Sequence, residues 1–281
     1  MRQINAEDVT RKVKQLLIKA NCEIGEDVLK ALNDFKAKEP SDTGVNVLDQ
    51  IIENNIIAKQ EQVAICQDTG MAVVFVEFGQ EVHIINGSFE DAVNEGVRQA
   101  YIDGYLRKSV VKDPIFDRSN TKDNTPAVIH TRIVEGDKLK ISVTAKGFGS
   151  ENMSSVKLFA PAAGLEGAKK YVLDVVSNAG PNSCPPMVVG VGIGGTFETA
   201  CLIAKKALLR KIGEHNPDPN YARLEEELLN EVNKLGIGPA GLGGRTTALA
   251  VNVEFYPTHI ASMPVAVNLC CHAARHAEGE L

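Results

Sequence analysis

The sequence predicts an α+β protein in which a helical amino-terminal lobe packs on a mixed β-sheet flanked by helices. Three observations predict it. Apolar residues recur at helical spacing through about the first 60 residues, β-branched runs separated by turn residues follow, and amphipathic segments then alternate with glycine-rich loops. One domain over 1–281 is expected, with the helical lobe at about 1–60 and an α/β core at about 61–281.

Val9, Val13, Leu16, Leu17 and Ala20 define a helix over 6–20, and Val47, Leu48, Ile51, Ile52 and Ile56 a second over 43–58. The runs 71–79 and 82–87, rich in Val, Ile and Phe, read as a pair of strands. Ser88 followed by Glu90 and Asp91 starts a helix that runs to about Leu106. The polar run 108–126 holds two prolines and no sustained period, so it reads as a surface loop with scope for function. Residues 127–146 alternate as two strands around Glu135-Gly136-Asp137. Helices are expected over 163–178, 197–211 and 219–235, a strand over 246–255, and a short final helix from about Met263.

Hydrophobic residues make up 44% and charged residues 23%, which fits a packed globular core rather than a disordered chain. A net charge of −6 gives no general attraction to nucleic acid or anionic lipid. With no Trp and 5% aromatics, base-stacking platforms have few candidates. No apolar stretch reaches the roughly 18 residues of a membrane span, and MRQINAEDVTRKVKQLL lacks the apolar centre of a signal peptide. A cytoplasmic location is expected, where the six cysteines stay reduced and free to bind metal.

Glycine and polar residues gather in four dense loops: Cys66-Gln67-Asp68-Thr69-Gly70, AKGFGSEN (145–152), NSCPPMVVGVGIGG (182–195) and GPAGLGGRTT (238–247). Such loops allow close approach of backbone to a ligand. Two of them carry a cysteine, and Cys270-Cys271 lies near the end. Three cysteines from distant loops suit an iron–sulfur cluster with one iron left open, although buried inert thiols fit the spacing as well. Gly190 to Gly195 satisfies G-x-G-x-x-G, but no second strand follows the next helix to carry the acidic ribose ligand of a dinucleotide site. A non-catalytic scaffold with structural zinc is the other reading.

ICQDTGMAVVFVE, YLRKSVV, KGFGSEN, SCPPMVVGVGIGG, GPAGLGGRTTALAV and THIASMPVAVN with CHAARHA stand in the order found in the class I fumarase and tartrate dehydratase family. From about residue 6 to residue 277 the chain resembles the alpha subunit of that family's two-subunit form. The resemblance implies a [4Fe–4S] cluster held by Cys66, Cys184 and Cys271, the last preferred over Cys270 because the family's third ligand directly precedes the HAARHA run. It implies Asp68 and His259 as a catalytic carboxylate–imidazole pair, and Gln67, Arg107 and the backbone of Gly147 and Gly149 as substrate contacts. Phe148 departs from the family's consecutive glycines; Lys146, Ser150, Glu151 and Asn152 are candidate polar wall residues. Cys22 and Cys201 sit in helical patterns and read as core. Further arginines, a lysine and a threonine of the family's site have no counterpart in the chain, so the resemblance implies a separate beta subunit, an α2β2 assembly, and reversible hydration of fumarate to (S)-malate. Dehydration of L-tartrate is the alternative.

Overall fold

A computed structural model describes residues 1–281. In chain order come β1 (Arg2–Asn5), α1 (Ala6–Cys22), α2 (Glu26–Lys36), α3 (Asp42–Glu61), β2 (Met71–Gly79), β3 (Val82–Ile85) and α4 (Phe89–Asp103). Then follow β4 (Val128–Val134), β5 (Leu139–Lys146), a single turn α5 (Phe148–Glu151), β6 (Ser155–Phe159), α6 (Gly164–Ala179) and β7 (Met187–Gly194). The chain ends with α7 (Phe197–Ala207), α8 (Pro219–Lys234), β8 (Ala248–Tyr256), β9 (Met263–Cys270) and β10 (His276–Glu280). No helix is long and apolar enough to cross a membrane.

The chain divides into two compact units: Met1–Ile24 with Asn55–Phe148 and Arg275–Leu281, and Gly25–Asn54 with Gly149–Ala274. The expected α+β class is therefore realised twice. The helices of the first 60 residues form as read, with α2 in addition, but they make no lobe of their own, since α1 belongs to the first unit and α2 to the second.

In the first unit a four-stranded sheet runs β10-β5-β2-β4, with β2 and β4 parallel and the other pairs antiparallel. Helix α1 starts where the Asn5 side chain accepts the Glu7 N–H, and its Val9, Val13, Leu16 and Leu17 enter one core with Val74, Val76, Ile141 and Val143 of the sheet and Val93 and Val97 of α4. Two strand partners differ from expectation. β3 pairs with β1, in parallel, and not with β2. The end of β2 instead tucks under the β4–β5 turn, where the Gly79 N–H bonds the Lys138 carbonyl and the Gln80 N–H the Val134 carbonyl, so β2 separates the two strands that flank that turn.

In the second unit the sheet order is β6-β9-β7-β8, with β7 and β8 parallel. One face, Val189, Val191, Val251, Val253, Val265, Val267 and Leu269, packs on α6 and α8; on the other, Ala266 meets Ala200 and Ala204 of α7. Coverage of both faces explains why Met263–Cys270 is a strand and not the expected final helix. A strand buried on two sides reads as a continuous apolar run, in which helical and strand periods cannot be told apart. The G-x-G-x-x-G glycines serve this packing: a Cβ on Gly190 would lie 2.1 Å from the Ala204 carbonyl oxygen, and one on Gly192 2.1 Å from that of Ala200. They let α7 lie directly on β7, which accounts for the motif without a dinucleotide.

Candidate active site

The segment Cys66–Gly70 enters β2 under tight restraint. The Ile65 N–H bonds the Asn21 carbonyl; the Thr69 hydroxyl, buried, donates to the Arg107 carbonyl at 3.1 Å. The Tyr101 hydroxyl donates to the Thr69 carbonyl at 2.6 Å, and the Asn124 amide to the Gly70 carbonyl at 3.1 Å. Burial pushes the Tyr101 phenol well above its usual range, so it remains a donor. Fully buried Asn124 also accepts the N–H groups of Ser109 and Val110, so the 108–126 loop is rooted in the Cys66 segment rather than lying loose on the surface.

Asp68 is fixed twice: Oδ1 accepts the Gly70 N–H at 2.9 Å and Oδ2 the Phe148 N–H at 2.8 Å. Phe148, the departure from the family pattern, thus contributes its backbone, while its ring stays 44% exposed. Because Met71 pairs with Lys146 across β2–β5, and His276 with Thr144 across β5–β10, Asp68, Gly147 and Arg275 come to one end of the sheet. A Cβ placed on Gly147 would lie 3.3 Å from both Arg275 Nη2 and Asp68 Oδ2. Gln67 and Arg107 are exposed, and Cys66 is half-buried.

In the second unit the backbone brings two of the expected cysteines together. The His272 N–H bonds the Cys184 carbonyl at 3.2 Å, placing Cys271 and Cys184 at the same end of the β7–β9 pair, where Val188 is opposite Cys270. Cys184 adopts left-handed φ of 52° and ψ of 65° after the turn Gly180–Ser183, a conformation an ordinary side chain holds only when its surroundings impose it. It is exposed and, with Val47, Ile51, Pro181, Ala240 and His272, lines a cavity of ≈ 310 Å³. Cys270 is buried within β9, whereas Cys271 is half-buried just beyond the strand.

Soft thiolates on loops suit iron–sulfur chemistry, so Cys184 and Cys271 fit the donor set expected of two cluster ligands. No group of three or more His, Cys, Asp or Glu side chains closes around a common point. His259 lies elsewhere. It sits in the β8–β9 connection, its Nδ1 accepting the Ala261 N–H at 3.2 Å, which leaves the proton of a neutral ring on Nε2. The eight residues of β9 lie between that connection and Cys271, roughly 25 Å of strand at about 3.3 Å per residue.

Other expected residues have structural partners. Glu151 pairs with Lys205 and accepts the Asn268 amide at 3.1 Å; Lys146 is buried with Nζ 3.4 Å from the Gly147 carbonyl; Gly149 and Asn152 are exposed. Burial raises the pKa of the Cys22 and Cys201 thiols, in keeping with core roles in α1 and α7. Sequence reasoning missed Tyr101, Asn124, Arg275 and Glu39. Buried Glu39 accepts the N–H groups of Ser41, Arg245 and Thr246 and the Thr246 hydroxyl, clamping the end of the GPAGLGGRTT loop. The available signal was local: Arg275 is the single cation of the CHAARHA run, directly before a strand.

Similarity to known proteins defines the class, a hydro-lyase. A sequence model described as Fumarate hydratase (Fumerase) matches residues 10–280. The putative L(+)-tartrate dehydratase subunit alpha of Methanocaldococcus jannaschii is 44% identical over 274 residues, covering 94% of each chain. The L(+)-tartrate dehydratase subunit alpha of Escherichia coli O157:H7 is 33% identical over 283 residues, covering 98% of this chain and 92% of the relative. The chain belongs to the fumarate hydratase (Fumerase) family.

Proposed function

We propose that the chain is the alpha subunit of a two-subunit, [4Fe–4S]-dependent hydro-lyase acting on a four-carbon dicarboxylate, with L(+)-tartrate the first substrate to test. The observation that supports this reading is the His272–Cys184 backbone bond, which joins Cys184 to the residue after Cys271 at the edge of a cavity lined by Cys184 and His272. Cys66 is the third ligand in this reading. Relatives named for L(+)-tartrate favour tartrate over the fumarate expected from the sequence; the family's own description favours fumarate, and its hydration to malate is the second reading.

When bound, the cluster supplies a Lewis-acidic iron at which hydroxide becomes a better leaving group. Asp68, held by two backbone N–H groups, is the base that takes the proton from the carbon next to a carboxylate. Arg107, whose carbonyl is tied to Thr69 beside that segment, clamps a substrate carboxylate, with Gln67 as a further polar contact. His259 is assigned no step at the cysteines of its own unit, given its place at the far end of β9.

A beta subunit completes the site, as the relatives' designation as subunit alpha supports. The test is an anaerobic reconstitution of this chain with its beta partner, assayed against L(+)-tartrate, fumarate and mesaconate. Tartrate turnover is expected; turnover of fumarate alone would select the second reading, and turnover of none would defeat both.

A further inference from the structure

β4 is an edge of the first unit's sheet, and one side of its backbone is unpaired. It pairs only with β2, in unbroken parallel register from Val73↔Val128 to Gly79↔Val134. The Gln80 N–H bonds the Val134 carbonyl, so Val134 turns its backbone groups toward β2. Alternation along the strand then turns those of Ile129, Thr131 and Ile133 outward, where they meet no other group of the chain. Such an edge accepts a further strand unless charges, prolines or bulges guard it. The opposite edge is guarded: β10 carries Glu278 and Glu280, ion-paired to Lys140 and Lys138. β4 has no proline, glycine or bulge, its one formal charge is Arg132, and it leaves Ile133 72% and Val128 37% exposed.

The sequence of β4 points to its occupant. Val-Ile-His-Thr-Arg-Ile-Val (128–134) reads the same in reverse apart from the exchange of His130 and Arg132. We propose that β4 seats a second copy of this chain, the two edges pairing antiparallel about a two-fold axis at Thr131 and joining two four-stranded sheets into one. Val128 then faces Val134, Ile129 faces Ile133, and Thr131 faces itself, pairs of β-branched residues of the kind that stabilise a sheet. Ile129, Thr131 and Ile133 all become hydrogen-bonded pairs, so each outward N–H and carbonyl of both copies finds a partner. These three lie across from Val74, Val76 and Phe78, on the face that carries α1 and α4, so the exposed Ile133 is covered by Ile129 of the second copy. His130 meets Arg132, where a neutral imidazole accepts from the guanidinium.

The full chain suffices for the test, so the outcome does not hang on the hydro-lyase reading. Sedimentation over a concentration series is expected to show a reversible dimer. Ile133→Lys places a charge on the apolar side of the edge, and Thr131→Pro removes an outward N–H from each copy without touching the bonds to β2. Each should raise the dimer dissociation constant about 10-fold or more, with thermal melting as the control for folding. Cysteines read the register. Thr131→Cys sits opposite its own copy, Cα atoms about 5.5 Å apart, and should cross-link on mild oxidation. Ile133→Cys lies about 13 Å along the strand from its copy and should not exceed the wild-type background. If Thr131→Pro does not fold, Ile133→Lys and the cysteine pair decide. A wild-type chain monomeric at every concentration, a dimer unmoved by the folded edge variants, or Thr131→Cys cross-linking no better than Ile133→Cys would overturn the proposal. So would a beta subunit that displaces the second copy when it binds, since β4 would then be its seat.

Discussion

Replacing Glu39 by alanine removes the shared acceptor of four donors at once: the N–H groups of Ser41, Arg245 and Thr246 and the Thr246 hydroxyl, at 2.6–3.1 Å. The carboxylate is 8% exposed, and Thr246 is 2% exposed, so water cannot freely replace the lost partner. Hydrogen bonds to a charged group contribute about 1.5–3 kcal/mol each, and every buried donor left without a partner costs about 1–3 kcal/mol, so losing the acceptor of four donors adds up to several kcal/mol. Glu39→Ala is therefore expected to lose about 3–5 kcal/mol, a fall in Tm of roughly 6–15 °C for a chain of this size. Glu39→Gln, which keeps one oxygen and the shape, should lose about 1–3 kcal/mol.

Acid adds a second, independent signature. Burial raises the Glu39 pKa, but the hydrogen bonds from Thr246, Arg245 and Ser41 outweigh it, and the folded pKa lies below the ordinary value of 4.5. A depressed carboxylate contributes stability that is present above the unfolded pKa and lost as pH falls through the folded one. The stability difference between wild type and Glu39→Gln should be constant from neutral pH to about 4.5 and shrink below it. The assay is urea unfolding at a series of pH values. A Glu39→Ala loss under about 1 kcal/mol, or a wild-type advantage over Glu39→Gln that grows as pH falls, would refute the reasoning.

Cys184→Ser and Cys271→Ser should each lower iron retained after anaerobic loading, whereas Cys22→Ser, Cys201→Ser and His259→Asn should retain it; iron loss in His259→Asn would contradict its separation from the cysteines along β9. Asp68→Asn should keep iron and fold while turnover in the alpha–beta assembly falls about 10²- to 10⁴-fold, the usual share of a general base, and near-wild-type turnover would remove Asp68 from that role. Gly190→Ala drives a Cβ to 2.1 Å from the Ala204 carbonyl oxygen, and a loss of about 1–3 kcal/mol or more is expected in urea unfolding, with no loss showing that α7 shifts freely off β7.

Helices α1, α4, α6, α7 and α8 were legible in the sequence because each presents apolar residues at the helical period to one core cluster, and α3 because its apolar residues recur at the same period. The cysteine-bearing loops were legible because their glycine and polar residues exclude them from regular elements. The family motif pointed to Cys271 rather than Cys270 as the third ligand; the structure buries Cys270 inside β9 and leaves Cys271 half-buried just beyond it.

What the sequence by itself determined, then, was local period, loop chemistry and family. Only the tertiary structure decided that β3 leaves β2 for β1, that Met263–Cys270 is a strand, and that the first 60 residues are divided between two units. Pairing is settled by contacts far apart in the chain, and a run apolar on both faces carries no period to read. The same holds for Glu39 and Arg275. A carboxylate clamping a loop about two hundred positions away and a guanidinium facing a bare glycine look like ordinary charged residues until folding takes them out of water.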